Sequence, residues 1–132
     1  YRNTWGDAIY CVFRDVKDAG AFALALRDVV RGTDWKKHGL PAGLSIRIGL
    51  HAGPVFECHD PVLKKRTYNG FNVNRAARIE PITEEGQVFV SQAFAALAAV
   101  VPRKNFRCDY AGTRQLAKKS GAIPVFILRN FA

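Results

Sequence analysis

Asn74 and Arg78 stand four residues apart in YNGFNVNRAARIE, residues 68 to 80, with small apolar residues packed between them. The spacing predicts a helix over 70–81. Residues i and i+4 share one helix face, so the amide and the guanidinium project together. Val73, Ala76 and Ala77 supply the packing side, and Asn72 and Arg75 point elsewhere. An amide and a guanidinium on one rigid platform can hold an anionic transition state by charge-assisted hydrogen bonds. The plainer reading is a solvated polar face, which the stretch taken alone favours.

The neighbouring elements must position that pair. RNTWGDAIYCVF reads as a hairpin turning at Gly6-Asp7, which displays the Asp7 carboxylate at the tip. Asp15 can cap a helix with an apolar stripe at Ala19, Phe22, Ala23, Leu26, Val29 and Val30, running to about Lys37 before Gly39 and Pro41. LSIRIGLHAG alternates as a half-buried strand, Leu44 to Leu50 on one face. A charged loop follows, and then the helix of Asn74 and Arg78, stopped by Pro81. QVFVS reads as a strand, Ser91 caps a short helix, and NFRCDY and IPVFILRN close as strands joined by a basic loop. The order ββαβαβαββ argues for an α+β fold, helices packed on a largely antiparallel sheet.

Bulk properties narrow the function. At 132 residues and 48% apolar, the chain has the size of a single domain and can build a core. No apolar run is long enough to span a membrane, and the start shows no signal peptide. The absence of an initial Met makes a fragment of a longer protein the expectation. Twenty Lys and Arg against eleven Asp and Glu give +9, which suits an anionic partner or simply a solvated basic surface. No aromatic–basic repeat of the RNA-binding type is present, so no nucleic-acid partner is expected. Cys11, Cys58 and Cys108 form neither a zinc motif nor a disulfide framework, which points to reduced thiols and a cytoplasmic location, or the cytoplasmic side of a membrane-bound parent.

NTWGDAIYCVF, IRIGLHAGPV, YNGFNVNRAARIE, GQVFVS and GTRQLAKKSGAIPVFIL occur in this order from about residue 3 to residue 129. Together they resemble the class III nucleotide cyclase catalytic domain, the adenylyl/guanylyl cyclase homology domain. The G-x-N-V-N-x-A-A-R-x-E block is the most specific part. The resemblance implies a ferredoxin-like nucleotide cyclase fold over residues 1–132, N-terminally truncated. It also implies conversion of ATP or GTP to the 3′,5′-cyclic monophosphate and pyrophosphate, in intracellular signalling.

The same resemblance assigns residues. Asp7 matches the second metal-binding aspartate. Asn74 matches the asparagine that orients the ribose, and Arg78 the arginine that takes charge developing on the α-phosphate. Lys118, with Lys119 as the alternative, looks like the lysine on the triphosphate tail. Thr67 and Asn3 match the two purine-reading positions, and threonine at the first leans toward ATP. Two Mg²⁺ (or Mn²⁺) ions are implied, along with a homodimer whose sites are shared, and a regulatory domain elsewhere in the parent protein. The opening strand that carries the first metal aspartate is absent, so these 132 residues alone are expected to be inactive. The alternative is a catalytically inactive homologue serving as a dimerisation or nucleotide-sensing module.

The remaining candidates read as structural. His51 is expected to be a strand-end hydrogen-bonding residue, His59-Asp60 and Cys58 ordinary loop residues, and the 64–66 KKR run a solvated loop. Glu80, following Arg78 on the helix, is expected to help its solvation or register and not catalysis.

Overall fold

The computed structural model describes residues 2–5, 7–62, 64–119 and 121–131, without the side chains of Asn3, Thr4, Trp5 and Ala117. The chain opens with an antiparallel hairpin, β1 (Arg2–Trp5) and β2 (Ala8–Cys11), in the register Asn3 opposite Tyr10. Gly6, half of the expected turn, lies outside the described residues. Asp15 caps α1 (Val16–Gly32), its carboxylate accepting from the Asp18 amide at 2.8 Å.

α1 stops five residues before Lys37. The Thr33 hydroxyl donates to the Val29 carbonyl and the Trp35 indole to the Val30 carbonyl, so side chains cap the last turn. A 3₁₀ turn over Trp35–His38 follows and ends on Gly39 at φ +74°. The buried stripe of α1 is also rotated from the expected one: Val16, Gly20, Ala23, Leu24 and Arg27 face inward. Phe22 instead pairs with Phe13 at 5.3 Å, and Val29 is exposed. Gly20 makes the rotation feasible, because a Cβ there would meet the Phe106 ring at 2.6 Å.

The main sheet has four strands in the order β3 (Ile48–Leu50), β6 (Val88–Ser91), β8 (Ala122–Asn130), β7 (Phe106–Gln115). β3 runs parallel to β6, and the other two pairings are antiparallel. β3 is shorter than the alternation over 44–51 suggests. It lies at the sheet edge, and its ladder begins where β6 begins, Ile48 opposite Val88, so residues 44–47 have no strand to pair with. β7 is longer than expected and takes in residues 111–115 of the predicted basic loop, with a register shift between Tyr110 and Thr113 where Gly112 adopts φ +94°.

The charged loop after β3 is itself a hairpin, β4 (Phe56–Asp60) with β5 (Lys65–Asn69). Its side chains are mostly exposed, and Glu57 pairs with Arg66 at 3.2 Å across the strands. His59, Cys58 and the Lys65-Arg66 part of the KKR run therefore lie on strands and not in loops.

The helix of interest, α2, runs Phe71–Ile79 and passes into a 3₁₀ turn over Glu80–Ile82 that carries Pro81. Ser91 caps α3 (Gln92–Val100), its Oγ accepting from the Phe94 amide at 3.2 Å. β6 is buried on both faces, as a central strand should be. Val88 and Val90 join α1, α3, Phe106 and Leu128 in one core. Phe89 joins Ile79, Leu116 and Val125 in another, so the end of α2 packs on the opposite face of the sheet.

Candidate active site

α2 presents Asn74 exposed and Arg78 half-buried, one turn apart. Neither side chain has a hydrogen-bonding or ionic partner among the described residues. Asn72 and Arg75 do point elsewhere. Asn72 faces His51 and Pro54, and the Arg75 guanidinium lies 4.8 Å above the Phe71 ring, with Nη1 buried and unpaired among the described residues.

β3 and the turn after it carry α2. A Cβ on Gly49 would meet the Glu80 backbone nitrogen at 2.6 Å, so the end of the helix rests directly on the strand. Arg47 and Glu80 bridge the same junction at 3.1 Å. At the other end a Cβ on Gly53 would meet the Asn72 amide at 2.5 Å. Both glycines of GLHAG thus serve close approach of α2.

His51, between them, hydrogen-bonds Ser91 through Nδ1 and Asn72 through Nε2, each at 2.7 Å. Burial lowers its pKa below the ordinary 6.5, the Asn72 hydrogen bond opposes this, and the Arg75 charge on α2 lowers it further. Asn72 and Ser91, its other partners, are neutral. A histidine depressed in the folded state adds stability that is complete above pH 6.5 and is lost as the pH falls through the folded value. Urea unfolding should therefore show stability declining below pH 6.5, and His51→Gln should remove that share of the decline.

Thr67, one of the two positions expected to read a purine, contacts the strand that pairs with the backbone of the other. Thr67 on β5 is buried, and its Oγ1 lies 2.8 Å from the Tyr10 hydroxyl. Tyr10 sits opposite Asn3 in the first hairpin, although the Asn3 side chain lies outside the described residues. Tyr10 did not stand out in the sequence, since its contact to Thr67 spans 57 positions and only its place on an alternating strand was visible.

Asp7 is exposed in the turn between β1 and β2. No group of three His, Cys, Asp or Glu able to hold a metal occurs among the described residues. A single exposed carboxylate suits a hard cation that takes its other ligands from phosphate and water, the usual manner of Mg²⁺. Lys118 and Lys119 are exposed on the tip between β7 and β8, at φ +55° and +56°. Left-handed backbone at two consecutive lysines is strained, and such strain concentrates at functional tips. Among the described residues no hydrogen bond or ion pair joins Asp7, Lys118 and Arg78 to one another.

The model of the adenylate and guanylate cyclase catalytic domain family matches residues 3–130. The chain belongs to that family. An adenylate cyclase of Mycosarcoma maydis is 32% identical over 67% of the chain, and a protein of Acanthamoeba polyphaga mimivirus described as a serine/threonine-protein kinase/receptor, R818, is 33% identical over 66% of it. The matched stretch spans only 4% and 6% of the length of those two relatives. The crystal structure of the guanylate cyclase domain of RhGC from Catenaria anguillulae, in complex with GTP, superposes with a TM-score of 0.79. The match covers 100% of this chain and 73% of that one at 22% identity, so it establishes the shared fold. No described helix is long and apolar enough to cross a membrane.

Proposed function

We propose that this cyclase domain converts a purine nucleoside triphosphate, ATP in preference to GTP, to the 3′,5′-cyclic monophosphate and pyrophosphate, as a signalling enzyme. The observation that carries the reading is the unpartnered Asn74–Arg78 face of α2 in a chain matched over residues 3–130 by the cyclase family. In the reaction the ribose 3′-oxygen bonds to the α-phosphorus, the bond to the bridging oxygen breaks, and pyrophosphate carries that electron pair away. The hydroxyl proton leaves to solvent. Negative charge grows on the α-phosphate, where the Arg78 guanidinium donates charge-assisted hydrogen bonds, and Asn74 orients the ribose.

Lys118 or Lys119 takes the triphosphate tail. Thr67 and Asn3 read the base, and the Tyr10 bond holds the Thr67 hydroxyl in one orientation. Threonine at the base-reading position is what favours ATP. Asp7 would hold a divalent cation, Mg²⁺ or Mn²⁺, one of two in the family pattern; such ions neutralise the triphosphate and acidify the attacking hydroxyl. The site forms between two copies of the chain, with Asp7 from one protomer and Asn74 and Arg78 from its partner.

The test is complementation in the full-length protein. Asp7→Ala and Arg78→Ala should each be inactive alone, yet a mixture should recover about a quarter of the wild-type rate. Statistical pairing makes half of the dimers mixed, and each mixed dimer holds one intact site of two. Inactive single variants with no recovery on mixing would rule out shared sites. Triphosphate binding without turnover in the wild type would make the domain a nucleotide-sensing module instead.

A further inference from the structure

α2 is nine residues long, too short to be stable alone, and its N-cap, Gly70 at φ +123°, offers no side chain to cap it. What fixes its first turn is a chain of hydrogen bonds from outside. The Asn72 amide donates to the Pro54 carbonyl at 2.6 Å, so its Oδ1 is the atom that meets His51 Nε2. Oδ1 can only accept, so Nε2 carries the proton and Nδ1 is left as an acceptor. The Ser91 hydroxyl fills that role as donor, while the same oxygen accepts from the Phe94 amide at the start of α3. Each bond of the chain has a donor facing an acceptor when the imidazole is neutral, and the chain ties α2 to the junction of β6 and α3. Gly53 leaves no free space beside Asn72, so the amide is held by contact as well as by bonds.

We propose that His51 and Asn72 are positioning residues for the cyclisation step, locking the first turn of α2 so that Asn74 and Arg78 are aimed at the reacting phosphate. The proposal rests on the reading of Asn74 and Arg78 as the transition-state pair. Neither His51 nor Asn72 touches substrate in it. Arg78 lies six residues beyond Asn72, about 9 Å along the helix. A small tilt about an unlocked first turn therefore swings the guanidinium by a distance that catalysis feels, since a displacement of about 1 Å can cost ~10²-fold in rate. Triphosphate binding through Lys118, Thr67 and Asp7 comes from other elements and is spared.

The test compares His51→Ala and Asn72→Ala with wild type and with Arg78→Ala in the full-length protein, under Mg²⁺ with ATP. Both alanine variants should lose about tenfold or more in kcat with KM changed by less than about threefold. His51→Gln, which keeps an N–H for Asn72 Oδ1, should restore most of the rate. Asn72→Asp, which loses the donor to Pro54, should not. Amide hydrogen exchange over Phe71–Ile79, read on the same samples and independent of turnover, should be about tenfold faster in His51→Ala than in wild type or His51→Gln. A His51→Ala protein with wild-type kcat and wild-type exchange in α2, beside an inactive Arg78→Ala, overturns the positioning role alone. An Arg78→Ala protein that retains wild-type activity overturns the reading of the pair itself.

Discussion

Replacing Arg78 with alanine should lower cyclic nucleotide formation by about 10²–10³-fold, the usual loss when one donor to a developing oxyanion is removed. Stability should change by less than about 0.5 kcal/mol, because the side chain is half-exposed and has no hydrogen bond or ion pair among the described residues to lose. Arg78→Lys should recover little. Lysine keeps the charge but not the planar fork that grips two phosphate oxygens at once. The neighbouring arginine supplies an internal control. Arg75 stacks on Phe71 and points away from the Asn74–Arg78 face, so Arg75→Lys should leave the rate close to wild type. Rate measurement at saturating ATP, with thermal unfolding of the same samples, decides the matter. An Arg78→Ala protein of unchanged melting temperature and unchanged rate would remove the transition-state role.

The sequence made this pair visible because both residues belong to one local period. A spacing of four on a helix is a geometric fact whatever surrounds it. Asp15 and Ser91 were legible as caps for the same reason, and each accepts from an amide three residues on. What stayed hidden depends on distant partners. The β4–β5 hairpin, FECHD and KRTYN, mixes polar and charged residues through both strands, so no alternation of apolar residues betrays it. The stripe of α1 turned because Gly20 counts as nothing in a hydrophobic pattern, yet in the fold it receives the Phe106 ring. His51 looked like a strand-end hydrogen bonder, and it is one. Its partners lie 21 and 40 positions away, however, so the lock on α2 could not be read from GLHAG alone. Tyr10 escaped notice in the same way.

Phe89→Ala should produce the largest loss of stability. The ring is wholly buried in the centre of β6, packed with Ile79, Leu116 and Val125, and the Arg114 guanidinium lies 5.5 Å above it. Truncating such a phenylalanine costs about 3–5 kcal/mol, from lost transfer energy and the cavity left behind. A chain of this size has on the order of 5–15 kcal/mol in total, so the melting temperature should drop by roughly 10–20 °C. Phe89→Leu fills most of the space and should cost about 1–1.5 kcal/mol. The residues lining this cavity decide what else changes. Ile79 is the last residue of α2, and Leu116 bonds to Gly121 at the base of the lysine tip, its amide donating to the Gly121 carbonyl at 2.7 Å. Relaxation into the cavity therefore draws on the two elements that carry Arg78 and Lys118. Well below the lowered melting temperature, where Phe89→Ala is still folded, activity per folded molecule should fall and KM for ATP should rise. Arg78→Ala differs by losing rate at full stability. A Phe89→Ala protein that melts within about 3 °C of wild type would mean that the second core contributes far less than its burial implies.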